Sequence, residues 1–301
     1  MPRADGTWGG GIGAQSGATL TATGCTLQGC VERTVYASDE GTTVTLIDSE
    51  VLDTARGRVT GFALGVVVQF GALISLSDSL IAGTEGPGVY VVGGGQASLL
   101  RSEAASNRFA GIVVLDGSVL VTSSTILDTL PDDEFGGGFG VYALAADGPP
   151  ALTLTDTTIG TQPYAAIWLD GPGAYDIQGN TLSGGAGVLR GGALTHGNAV
   201  FAENGVLAWD GASGLHLEGN SIGSGSGISV LLDASSATLE GNLWSDDGAD
   251  LRQQRCDGIT VLTEDDVDDV PNSEICPVGN VLTAYELILP SLYLAVSATA
   301  E

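Results

Sequence analysis

Apolar and polar residues alternate with a period of two in short stretches along the whole chain, and the stretches recur. The clearest is GALISLSDSLI at 71–81: small residues at a turn, alternating apolar positions, then a Ser two places before a closing Ile. The same register fits with Leu27, Val51, Ile81, Ala104, Ile126, Ile159, Leu182, Val200, Ile222 and Trp244 as closing residues. Successive closing residues lie 18 to 33 positions apart, most of them 22 to 24. A repeat of that length is one coil of a solenoid, whose apolar face is buried only by stacking on its neighbours.

Stacking the copies gives columns. Five places before the closing residue stand Ala22, Leu46, Leu76, Leu99, Val121, Leu154, Ile177, Thr195, Leu217 and Leu239, and seven places before it a second, mostly apolar column. Alternation of this kind predicts a strand with one buried face. Two places before the closing residue come Cys25, Ser49, Ser79, Ser102, Ser124, Thr157, Asn180, Asn198, Asn220 and Asn242. Stacked about 4.8 Å apart, such groups can hydrogen-bond to one another and to the turn backbone, which predicts one polar ladder inside a bend. Each coil carries another strand, a small residue followed by aliphatics: GVVVQF at 65–70, GVYVV at 88–92, GIVVL at 111–115, GVYAL at 140–144 and GVLAW at 205–209.

This pattern resembles the right-handed parallel β-helix repeat of the pectin-lyase-like superfamily, in particular its secreted bacterial members, over residues 9–245. The resemblance implies an all-β fold: a single solenoid of about ten coils over 1–245 with a C-terminal cap over 246–301. A cap is expected physically, because an open coil end is an unpaired edge. The architecture hosts lyases, hydrolases, adhesins and inert stalks, so it leaves activity open.

Composition narrows the partners. Nine Arg, no Lys and 36 Asp plus Glu give a net charge of −27. Such a surface repels phosphate and anionic lipid, so nucleic acid is excluded as a natural partner. The apolar run LILPSLYLAV is too short to span a membrane and holds Pro290. MPRADGTWGG has neither a basic nor an apolar leader region: either it is the middle of a coil whose preceding part was removed with a leader, or its Met is the true start of a cytoplasmic protein. Four cysteines favour an oxidising compartment, and the expected location is extracellular or at the cell surface. Cys256 and Cys276 are expected to bond across the acidic loop TEDDVDDVPNSEIC. Cys25 and Cys30 are either a local disulfide or, since Cys25 occupies the ladder, free thiols.

Two intervals exceed one coil, and both excesses follow the same dipeptide, Asp53-Thr54 and Asp128-Thr129. The inserts ARGRVTGF at 55–62 and LPDDEFGGGF at 130–139 therefore leave the solenoid at one corner. PRADGTWGG looks like a third. They bring Trp8, Phe62, Phe135 and Phe139 together with Asp132, Asp133 and Glu134, and rings beside carboxylates suit carbohydrate. The alternative is that these aromatics close the loops over the core.

A second patch follows from the columns. Four places before the closing residue, Gln178, His196, Glu218 and Glu240 fall in consecutive predicted coils, with Asp176 and His216 two residues earlier on the same face. His196 is thereby expected beside Glu218, with His216 one coil further. Imidazole and carboxylate at that spacing suit a divalent metal, and an exposed ion pair is the plainer expectation. No specific calcium or zinc motif accompanies it, and no cofactor is expected. The Lys of the fold's galacturonan hydrolases is missing, as is a lyase-type cluster of Asp around a base. The expectation is thus a non-enzymatic extracellular structural or recognition module binding a glycan or cell-surface polymer on the insert side. A polysaccharide-active lyase or glycoside hydrolase of the pectin-lyase-like fold is the alternative.

Overall fold

The computed structural model describes residues 9–254, except 59, 134–135, 185–194, 197–198, 201–203, 210–211, 213, 224–227, 234–236 and 245–248. Three parallel sheets run the length of the molecule, and the chain visits them in turn. The first holds ten strands, from Ile12–Ala14 through Leu64–Gln69, Ala110–Leu115 and Ala165–Asp170 to Ala249–Gln254. The second holds nine, from Thr19–Thr23 to Ala237–Glu240, and the third nine, from Thr26–Gln28 to Leu243–Trp244. No helix occurs among the described residues.

The aliphatic columns form the interior. Val44, Leu46, Ile74, Leu76, Leu99, Val121, Leu152, Leu154, Ile177 and Leu217 of the second sheet join Val51, Ile81, Ile126, Ile159 and Leu182 of the third in one continuous core. The first sheet behaves differently. Its strands Leu64–Gln69, Ala110–Leu115 and Ala165–Asp170 are buried at every position, as the near-continuous apolar runs of a sheet covered on both faces require. Its outward residues Tyr90, Val113, Tyr142 and Trp168 are 0, 0, 1 and 3% exposed and belong to a second, aromatic core.

The bend between the second and third sheets is built as the polar column predicts. The N–H of Ser49 donates to Ser79 Oγ (3.2 Å), that of Ser79 to Ser102 Oγ (3.2 Å), and that of Ser102 to Ser124 Oγ (3.1 Å). Farther on, Thr157 N–H donates to Asn180 Oδ1 (2.8 Å), Asn180 N–H to Asn220 Oδ1 (2.9 Å) and Asn220 N–H to Asn242 Oδ1 (3.0 Å). In these coils each ladder side chain thus accepts the N–H of the coil before it, which pairs the donors of the bend. The residue just before the ladder takes the left-handed conformation in every coil: Gly24, Asp48, Asp78, Arg101, Ser123, Asp156, Gly179, Gly219 and Gly241, with φ between 48° and 63°. That position turns the chain sharply, which explains its Gly and Asp preference.

One expected coil is absent. Leu182 pairs directly with Ile222, and Ile177 with Leu217, so no rung stands between these partners in the second or third sheet. Thr195–His196 pairs antiparallel with Ala199–Val200 instead. The reason is legible afterwards: only 18 residues separate Leu182 from Val200, and the apolar column would hold Thr195, an unpartnered hydroxyl in the interior. The first sheet has ten rungs and the other two nine, because the first and the last described strands both belong to it. Of the expected C-terminal cap, Ala249–Gln254 instead forms the last rung of the first sheet; the rest, with the Cys256–Cys276 bridge, lies outside the described residues.

Candidate functional site on the second sheet

Outward residues of the second sheet stand between pairs of buried ones, so the backbone fixes where they point. Asp176 lies between Tyr175 and Ile177, and His216 between Leu215 and Leu217, all four of the flanking residues being buried. The two are register partners in adjacent rungs, as are Gln178 and Glu218. The missing coil is what brings Asp176 and His216 together. His216 Nδ1 is 3.0 Å from Asp176 Oδ1, the same oxygen that accepts Gln178 Nε2 at 2.8 Å. Across the ring, His216 Nε2 is 3.9 Å from Glu218 Oε2. Thr238 is the register partner of His216 in the following rung.

A half-buried imidazole is thus held between two carboxylates on an open face. With Nδ1–H donated to Asp176, the neutral ring presents Nε2 as a proton acceptor. The same geometry argues against metal chelation. Asp176 and Glu218 engage opposite ring nitrogens, so their oxygens do not converge with one nitrogen on a single point, as zinc would demand. Among the described residues no group of three or more His, Cys, Asp or Glu is arranged to hold a metal ion. The predicted row of His196 beside Glu218 is corrected: Gln178 occupies that place, and His196 sits in the antiparallel pair.

The insert corner also departs from expectation. Both inserts do meet there, since the Arg56 guanidinium pairs with Asp132 across 76 residues of chain. Asp132, however, is only 4% exposed, and Phe139 is 2% exposed with its ring 5.0 Å from Trp168 and 5.2 Å from Tyr164. Phe62 packs half-buried against the same cluster. The aromatic outer core of the first sheet thus buries the Phe139 ring and packs against one side of Phe62. Asp133 is the exposed member, 3.6 Å from Arg108 Nη1, whose guanidinium also donates to Pro131 O. Trp8, Glu134 and Phe135 lie outside the described residues. Cys25 and Cys30 are both free thiols, so no local disulfide joins them.

Beside the second sheet, an open groove of about 540 Å3 follows the bend through Asp48, Glu50, Asp78, Arg101 and Glu103. Arg101 grips Asp78 with two bonds of 2.7 Å and holds that carboxyl below its ordinary range. The charge along the edge of the second sheet is therefore acidic, with its described arginine already engaged.

No protein-family profile and no curated protein matches the sequence. The periplasmic alginate epimerase AlgG is similar in structure, with 11% identity and a TM-score of 0.53, over 84% of this chain and 52% of that one. A single-substitution variant of AlgG gives 10% identity and a TM-score of 0.55 over 80% and 54%. The catalytic domain of a GH87 α-1,3-glucanase bound to nigerose overlaps more loosely, with a TM-score of 0.40 and 12% identity over 87% and 49%. The chain spans about half the length of these proteins. With three continuous parallel sheets, a polar ladder in the bend and the AlgG overlap, the chain has a right-handed parallel β-helix fold.

Proposed function

We propose that this chain is a carbohydrate-active β-helix of the space outside the cytoplasm, holding a polysaccharide against the second sheet and acting on it by proton transfer at His216. The observation that carries the reading is the Asp176–His216–Glu218 arrangement. One carboxylate orients the imidazole, a second lies at its other nitrogen, and the set stands open to an extended ligand. Support from likeness is coarser: AlgG, described as a periplasmic alginate epimerase, shares the fold.

The test is incubation in deuterated buffer with a panel of soluble acidic and neutral polysaccharides. New reducing ends, unsaturated-uronate absorbance and deuterium on sugar carbons are read together. Turnover is expected for one polymer, falling about 10²-fold or more in His216→Ala, the range for loss of a general acid–base group. Equal turnover by the variant would remove His216 from the reaction. Retention of a polymer without turnover by the parent would make the chain a recognition module.

A further inference from the structure

The outward face of the second sheet carries a feature that the acid–imidazole set does not explain. Six consecutive strands, from Thr19–Thr23 to Ala151–Thr155, present three outward residues each, and all eighteen are exposed or half-buried. Twelve are Ser or Thr, five are aliphatic and one is Gln; none is charged. In a chain with 15% charged residues, about three charges would fall there by composition alone, and more on an open surface. The chain does place charge immediately alongside, at Asp48, Asp78 and Arg101 in the bend, so the exclusion belongs to this face.

The face is also ordered. Thr21, Thr45, Ser75, Ser98, Leu120 and Thr153 form its central column in register, with Ser98 Oγ donating to Ser75 Oγ at 3.1 Å. Leu73, Ile47, Leu100 and Leu120 stand 36 to 47% exposed among these hydroxyls. At about 4.8 Å per rung the strip is roughly 24 Å long. It runs in the same columns into Asp176 and His216.

We infer that the polymer held by this chain is an uncharged polysaccharide, lying along the solenoid axis over this strip with one end at His216. Hydroxyls in regular rows pair with sugar hydroxyls, and scattered aliphatics cover the apolar faces of sugar rings. An apolar protein partner would instead need a continuous patch, which the hydroxyls interrupt. A polyuronate would meet no cation on the strip and an acidic rim beside it, within a chain of net charge −27. The inference rests on the function proposed above and narrows its substrate class.

The experiment is retention in native gels cast with soluble glucans, mannans or galactans, against gels cast with alginate or polygalacturonate, at low and high salt and with and without calcium. Retention by a neutral polymer, unchanged by salt, is expected. Ser98→Glu and Leu120→Glu, each at an outward position that tolerates a charge, should weaken it at least tenfold, with the melting temperature checked separately. Glu103→Gln, on the third sheet, should bind as the parent does. Tighter retention by a polyuronate, with or without calcium, would overturn the inference and leave the carbohydrate reading standing. So would parent-like binding of a neutral polymer by both Glu variants, which would place it elsewhere. Retention by no polymer of either class would overturn both.

Discussion

Replacing Asn220 by Ala tests the ladder at its most heavily bonded rung. Asn220 is fully buried, and its Oδ1 accepts Asn180 N–H (2.9 Å) and Asn180 Nδ2 (3.0 Å). Its Nδ2 donates to Ile177 O (2.8 Å) and Asn242 Oδ1 (3.0 Å). Truncation removes four hydrogen bonds and leaves a backbone N–H and a backbone carbonyl without these partners. At about 1 kcal/mol net per bond, and about 1–3 kcal/mol for each buried group left unpaired, the loss should be about 3–5 kcal/mol. For a domain of this size that corresponds to a melting temperature lower by roughly 10 °C. Urea unfolding followed by circular dichroism reads the loss directly, with an unchanged slope marking a pure stability effect. Asn220→Ser should recover about half, because a Ser hydroxyl in the same column accepts the preceding N–H in the early coils, as Ser79 does for Ser49. A loss below about 1 kcal/mol for the Ala variant, or equal losses for Ala and Ser, would refute the ladder's role.

Arg56→Leu should destabilise by about 2–4 kcal/mol by stripping a cation from buried Asp132, and Arg56→Leu with Asp132→Leu should recover most of it in a double-mutant cycle. Phe139→Ala should cost about 3–5 kcal/mol in thermal or urea unfolding, as a buried ring does, whereas a ring serving as a sugar platform would cost little. The Asp78 carboxyl, held low by its hydrogen bonds to Arg101, favours the folded state above the ordinary carboxylate pKa. That small contribution fades as pH falls through the lowered value. In Arg101→Ala the Asp78 carboxyl should titrate in its ordinary range by NMR.

The repeat columns were enough to read the architecture: the apolar pair at Leu46 and Val44, the polar ladder from Ser49 to Asn242, and the corner from which both inserts depart. The apolar pair and the ladder repeat from coil to coil, so a single sequence contains its own alignment, against which the two inserts stand out. Around Val200 the columns mislead, because Val200 and Asn198 match them locally while the spacing from Leu182 is only 18 residues and Thr195 falls in the apolar column. The columns put Asp176 and His216 on one face but a coil apart, with His196 between; in the structure they are register partners and touch. The burial of Phe139 was hidden for a different reason. Alternation marks one face of the first sheet as interior, and only the outward column Tyr90, Val113, Tyr142 and Trp168, read down the coils, reveals the second core that captures the ring. The uncharged strip was present in the columns too; its signal was an absence of Asp, Glu and Arg, visible once the outward positions are known.

The most direct measurement of where this molecule does its work is a crystal structure with a soluble oligosaccharide of the neutral polymer that it retains. Sugar density is expected along the second sheet, over Thr45, Ser75, Ser98 and Thr153, with the terminal ring within hydrogen-bond reach of His216. Density confined to the insert corner beside Phe62 and Asp133, or to the third sheet, would contradict it.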